Sequence, residues 1–131
     1  MKVASLDHLV LTVADLKATI AFYRDVLGMT AAQFTPADGA PRWALTFGHQ
    51  KINLHQAGAE FEPKAHHPAP GTADLCFLSE QPVKDWQEHL SNQGVPVESG
   101  PVPRTGATGP ILSLYLRDPD GNLIEISNSV G

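Results

Sequence analysis

A single cysteine, Cys76, stands among 131 residues, which excludes an intrachain disulfide framework and a four-cysteine zinc site. Basic residues are scarce as well, with nine Lys and Arg against fourteen Asp and Glu and a net charge of -5. Nucleic-acid binding draws on Lys and Arg to neutralise phosphates, so this balance speaks against it, and no basic run suits an anionic membrane surface. No apolar run approaches the roughly 20 residues that span a bilayer. The opening MKVASLDHLVLTVADL alternates apolar with polar residues and runs straight into a helix start, so it reads as a strand and not as a signal peptide. The expectation is a cytoplasmic domain in a reducing compartment whose partner is a small molecule, not nucleic acid or membrane.

What the chain has in quantity is turn formers, eleven glycines and eleven prolines beside 42% hydrophobic residues. Such a composition favours short strands over a helical bundle. In Leu6–Val13, Leu9, Leu11 and Val13 share one face while His8, Val10 and Thr12 share the other. Asp15 then caps a helix with Leu16, Ile20, Tyr23 and Leu27 on one stripe, stopped by Gly28. Strands are expected at Thr30–Thr35, Arg42–Phe47 and Lys51–Gln56, with turns at Pro36–Gly39 and Gly48–Gln50. Residues 58–70 lack periodicity and read as a linker. The order then recurs: a strand at Thr72–Leu78, and a helix opening near Ser79 with Pro82 in its first turn. That helix carries the stripe Val83, Trp86 and Leu90 and stops at Gly94, and strands follow at Val95–Ser99, Leu112–Arg117 and Leu123–Ser127. A Gly-rich stretch, Arg104–Pro110, precedes the seventh strand, and Asp118–Gly121 makes the last hairpin turn.

Placing His8 over Asp74 tests for duplication, because twenty residues separate His8 from Gly28 and twenty separate Asp74 from Gly94. The fold class expected is α+β. Two tandem βαβββ modules (5–57 and 71–128, around the linker 58–70) form one domain with a mostly antiparallel sheet and helices on its convex face.

If the helices cover Leu9, Leu11, Ile124 and Ile126, then His8, Glu125 and Ser127 point the other way. Four equivalent strands, the first and last of each module, then offer a polar group to one concavity: His8, Asn53 or His55, Asp74, and Glu125. Imidazole and carboxylate from separate strands suit a divalent transition metal with an open position for substrate. A cation would also account for a charged Glu125 between Ile124 and Ile126. His49, His66, His67 and His89 read as structural or solvated, and Cys76 as a small core side chain rather than a nucleophile.

DHLVLTVADL, FYRDVLGM and LYLRDPDGNLIEI resemble the vicinal oxygen chelate superfamily, which includes glyoxalase I, fosfomycin-resistance thiol transferases, bleomycin-resistance proteins and extradiol dioxygenases. With INLHQAG, ADLCF and RTGATGPILSLYLRDPDGNLIEIS, the chain is similar to the subgroup of glyoxalase domain-containing protein 5. The resemblance covers nearly the whole chain. It implies a U-shaped sheet around one divalent metal ion (Zn, Ni, Mn or Fe), held by the first, fourth, fifth and eighth strands. His8 and Glu125 take the first and eighth positions. Asp74 stands where His is usual, and His55 is favoured over Asn53 on the fourth strand because imidazole is the better ligand.

The resemblance also implies Lewis-acid chemistry on two neighbouring oxygens, with Glu125 as general base and Tyr115 beside it. Arg42, Arg104, Arg117 and Ser113 would hold an anionic substrate, and the Gly106/Gly109 loop could close over it. An extradiol dioxygenase would need histidines that are missing here. The function implied is a metal-dependent glyoxalase-like lyase or isomerase, working as a homodimer. The alternatives are a metal-free ligand-sequestering protein of the bleomycin-resistance type and an antibiotic-modifying thiol transferase.

Overall fold

The first helix starts where its capping residue stands. Asp15 is extended (φ -142°) and its carboxylate accepts the amide of Ala18 at 3.1 Å, satisfying one of the orphan donors of the first turn. Gly28, at φ +75°, turns the chain out of the helix, with Gly28 N donating to Arg24 O at 3.1 Å. In this computed structural model, which describes residues 1–37 and 39–131, the elements are β1 (His8–Val13), α1 (Leu16–Asp25), β2 (Thr30–Phe34), β3 (Arg42–Phe47) and β4 (Gln50–Gln56), then β5 (Asp74–Leu78), α2 (Val83–Asn92), β6 (Ser99–Thr105), β7 (Pro110–Arg117) and β8 (Leu123–Ser129). The Pro36–Gly39 turn closes with Gly39 N donating to Pro36 O, and its Asp38 lies outside the described residues.

The fold class is the expected α+β from two βαβββ modules. The chain divides into two compact units, Met1–Pro70 and Gly71–Gly131, and its strands hydrogen-bond as two four-stranded sheets, ordered β1-β4-β3-β2 and β5-β8-β7-β6. In each sheet the first and last strands of the module run parallel, and the other two ladders are antiparallel. Helix α1 packs on β2, β3 and β4, and α2 on β7 and β8. The cores follow the alternation: Leu11, Val13, Ile52 and Leu54 are buried under α1, and Leu114, Leu116, Ile124 and Ile126 under α2. Among the described residues no helix is long and apolar enough to cross a membrane.

Three expectations need correction. The buried stripe of α1 is Thr19 and Tyr23, continued by Val26, with Leu16, Ile20 and Leu27 only half-buried at its flanks. At 100° per residue, positions 19 and 26 lie on one side of Tyr23 and positions 16, 20 and 27 on the other, so the buried stripe is rotated away from the expected one toward Thr19 and Val26. Pro82 is the N-cap of α2 rather than part of its first turn. The sixth strand is Ser99–Thr105, not Val95–Ser99. It carries Pro101 and Pro103, which an edge strand tolerates because its outer side has no ladder to donate to. Other strand ends move by no more than two residues.

The duplication shows in details that identities conceal. Gln56, at the end of β4, accepts the amide of Leu16 on Oε1 at 3.3 Å and donates from Nε2 to Val13 O and Ala14 O. Asn128, three residues after Glu125, does the same for the second helix. Its Oδ1 accepts the amide of Val83 at 2.7 Å, and its Nδ2 donates to Ser79 O and Gln81 O. Because Pro82 offers no side-chain cap, Asn128 supplies it from a distant strand. Replacing Asn128 by Ala should cost about 1–2 kcal/mol, read from urea unfolding, since one cap and two carbonyl partners go together.

Candidate functional site

The face of the second sheet away from α2 is built on β5, β8 and β7. Register sets Cys76 and Tyr115 on either side of Glu125, and Ser113 opposite Ser127 in the neighbouring row. Ser113 Oγ donates to Glu125 Oε2 at 2.5 Å and lies 2.7 Å from Ser127 Oγ, which is itself 3.4 Å from Oε2 and 3.3 Å from Cys76 Sγ. Each hydroxyl has one proton, so the order of donation follows. Ser113 gives its proton to the carboxylate and therefore accepts from Ser127, which in turn accepts from the Cys76 thiol. Cys76 is exposed and not the core side chain the sequence suggested; desolvation still pushes its thiol's pKa up, so it stays protonated and is no thiolate nucleophile. Both serines are fully buried while Glu125 is only half-buried, so the hydroxyls hold the carboxylate from below and leave it reachable.

Tyr115 and the arginines take different parts. Arg104 Nε donates to Tyr115 Oη at 3.0 Å, and its guanidinium carbon lies 5.5 Å from the ring centre. Arg117 is already committed. Its Nε and Nη2 hold both oxygens of Glu98 at 3.0 Å, and its Nη1 donates to Gly121 O. That fork keeps the Glu98 carboxyl below the usual carboxylate range and leaves less of Arg117 for a substrate than Arg104 offers. Asp74 is exposed at the start of β5, next to Leu123 rather than Glu125 in register. The expected lid is the β6–β7 turn, closed by Gly106 N donating to Gly109 O at 2.8 Å.

In the first unit, His8 is exposed, with Nδ1 2.9 Å from Asp7. Register pairs His8 with Lys51, Val10 with Asn53 and Thr12 with His55. At about 3.3 Å per residue, four residues along the strand separate the rows of His8 and His55 by roughly 13 Å, so the sheet does not bring these two imidazoles together. Asn53 is closer to His8, and it stands two residues beyond the partner of His8 just as Glu125 stands two beyond the partner of Asp74.

His55 is only 5% exposed. Its ring meets Phe61 edge-on at 5.4 Å, and the Arg42 guanidinium lies over the same Phe61 ring at 4.2 Å. Nothing in the aperiodic run 58–70 marked Phe61 as part of a site. Burial first, and the Arg42 charge second, lower the His55 pKa, partly opposed by Glu60. A lowered native pKa means that the unfolded chain binds the proton more readily. Stability should therefore be full above about pH 6.5 and fall as pH drops below it toward the native value. His55→Phe should flatten that part of the curve in pH-dependent thermal melts, and an unchanged slope would count against this account.

A divalent metal ion needs donors gathered in one place. Among the described residues no group of three or more His, Cys, Asp or Glu is placed to hold one, His8 Nδ1 is engaged by Asp7, and Glu125 Oε2 is engaged by the serines. Those contacts leave His8 Nε2 and Glu125 Oε1 as the donor atoms an ion could use.

The family model of the Glyoxalase/Bleomycin resistance protein/Dioxygenase superfamily matches residues 5–126. The chain is 55% identical to a virulence protein of Salmonella typhimurium over 130 residues, covering 99% of this chain and 88% of that one. It is 57% identical to a glyoxalase domain-containing protein of Mycosarcoma maydis over 128 residues, covering 98% and 70%. A solved integron cassette protein from the mobile metagenome of V. cholerae is 58% identical, covering 99% and 98%, with a TM-score of 0.93. More distant likenesses are an ethylmalonyl-CoA/methylmalonyl-CoA epimerase of Cereibacter sphaeroides (31%, covering 95% and 97%) and a metallothiol transferase of Staphylococcus epidermidis (28%, covering 96% and 82%). The solved lactoylglutathione lyase of Agrobacterium tumefaciens is 27% identical, covering 98% and 96%, with a TM-score of 0.72.

Proposed function

The chain belongs to the Glyoxalase/Bleomycin resistance protein/Dioxygenase superfamily, and from that premise we propose that it is a cytoplasmic glyoxalase-like lyase or isomerase in which Glu125 moves a proton on a small anionic substrate. The observation that carries this reading is the relay of hydroxyls ending on one oxygen of Glu125. The hydroxyl on Oε2 orients the carboxylate, leaving Oε1 to take a proton from carbon and return it. Tyr115 accepts from Arg104, so its own hydroxyl proton is available to an oxygen on which charge develops. Arg104 supplies positive charge for the anion. An epimerase and a lyase stand among the relatives, and both kinds of reaction need a proton carrier of this sort.

Members of the superfamily commonly use a divalent metal, and the proton transfer described here needs only the chain's own groups. A second reading, a ligand-sequestering protein without metal, is favoured by the ungathered donors. Titration with Zn, Ni, Mn and Fe, together with NMR of α-proton exchange into deuterated solvent, separates the cases. One equivalent bound and lost in both His8→Ala and Glu125→Ala would mean that the donors gather on binding. Exchange by metal-free protein supports the base reading directly. Neither metal uptake nor exchange on 2-oxo and 2-hydroxy carboxylates or their thioesters leaves the sequestering reading. A homodimer is part of the proposal: Val10 and Leu78 lie 45% and 64% exposed on the edge strands β1 and β5, and a monomer in sedimentation at micromolar concentration would refute it.

A further inference from the structure

We propose that the face of the first sheet turned away from α1 carries a binding site for a flat, uncharged ring bearing an amide or lactam edge, read by the carboxamide of Asn53. Asn53 Oδ1 is buried and has no hydrogen-bond partner. A carbonyl oxygen held out of water and left unpaired costs its full desolvation, and such orphans are rare unless something outside the chain completes the bonding. The same carboxamide carries the Nδ2 donor in the plane of Oδ1, so Asn53 offers an acceptor and a donor side by side. The complement of that pair is an N–H next to a C=O, the edge of a lactam or of a primary amide.

The register shows what lies in front of the amide. Asn53 pairs with Ala44 on β3, and Ala44 with Ala32 on β2, so two methyl groups continue its row toward the sheet edge. Two strand spacings of about 4.8 Å make a floor roughly 10 Å long, which takes one flat ring. The rows on either side carry longer side chains, Lys51 with Thr46 on one and Arg42 with Phe34 on the other. Lys51 Nζ lies 4.3 Å from the centre of the Phe34 ring, so this side chain reaches from its own row to the other and crosses the alanines between. That roof accounts for Ala44 being only 3% exposed on a face that no helix covers. The Lys51 stem is flexible and half-buried. A flat ring can take its place on the alanines with the ammonium closing over it, which exchanges one cation–π contact for another. Arg42 stacks on Phe61 and is already engaged, so it walls the slot and takes no part in reading the ring. The site lies within the first unit, uses no metal and is separate from the proton transfer assigned to Glu125.

The test uses the full chain in the presence of a chelator, with 2-pyridone, N-methyl-2-pyridone and 2-piperidone titrated by NMR. The first should saturate and should shift the side-chain amide resonances of Asn53. Methylation removes the N–H that Oδ1 accepts and should weaken binding at least about tenfold, because a site built to hydrogen-bond a group penalises its loss. The piperidone keeps the same edge on a puckered ring and should bind at least about threefold more weakly than 2-pyridone, since it cannot lie flat on the alanines. Asn53→Leu should abolish the preference for the N–H form while affinity for N-methyl-2-pyridone stays within about twofold, an outcome that a merely unfolded variant could not give. Equal affinity for the N–H and N-methyl forms in the unaltered chain overturns the proposal. So does 2-piperidone binding as tightly as 2-pyridone, a preference that survives Asn53→Leu, or no saturable binding of 2-pyridone at millimolar concentration.

Discussion

Replacing Gly100 by Ala should cost about 3 kcal/mol or more and should loosen the serines that hold Glu125. Gly100 sits at φ +107°, a conformation that residues with a Cβ rarely adopt, in the irregular step of β6 between Ser99 and Val102. A Cβ built there would lie 2.3 Å from Ser113 O and 3.1 Å from Leu114 Cα. Both are backbone atoms of the fully buried middle of β7, so no side chain can swing aside to relieve the overlap. Either the edge strand peels away or β7 moves, and β7 carries Ser113, the direct donor to Glu125. Strain at a special φ and overpacking against a rigid neighbour are each worth roughly 1–3 kcal/mol, and here they coincide. Urea unfolding should show the loss, and Thr105→Ala, on the same edge strand but exposed, should stay within about 0.5 kcal/mol. A Gly100→Ala protein as stable as the parent would show that β6 yields freely, and that this bulge does not brace the site.

Alternation along the strands assigned faces well and rows poorly. Period two is enough to put His8, Asn53, His55 and Glu125 on the faces away from the helices, because burying Leu9, Leu11, Ile124 and Ile126 leaves no choice. It says nothing about how far along the neighbouring strand a partner falls. That depends on the parallel register, which the loop between strands sets, and so ligand chemistry favours His55 where the ladder puts it four residues from the row of His8. The sixth strand lies beyond the expected Val95–Ser99 for a related reason. Pro101 and Pro103 break a pattern that assumes both sides of a strand are paired, and the fold uses them on the side that is not. The caps from Gln56 and Asn128 reach helices some 40 residues earlier in the chain, beyond any local signal. Phe61 is one aromatic in an aperiodic run, and only the folded chain sets it against Arg42 and His55.

Glu125→Gln should abolish proton exchange while leaving the fold nearly untouched. The amide is close in shape to the carboxylate, and its oxygen can still accept from Ser113, so unfolding free energy should change by no more than about 1 kcal/mol. An amide cannot take up a proton in the pH range of the reaction, and removal of a general base costs about 10²–10⁴-fold in rate. Tyr115→Phe deletes the hydroxyl that Arg104 orients and keeps the ring. Loss of one donor to developing charge should slow exchange by about 10²-fold, less than the loss of the base. Ser113→Ala provides the third point. Ser127, 3.4 Å from Oε2, loses its acceptor and is free to turn its hydroxyl to the carboxylate, so the variant should keep most of its activity, while Ser113→Ala with Ser127→Ala should lose more than the two single changes combined. This order of effects, Glu125→Gln largest, Tyr115→Phe next and Ser113→Ala least, belongs to a carboxylate base on a hydroxyl relay. Full exchange in Glu125→Gln would reject the base assignment whatever the other variants did.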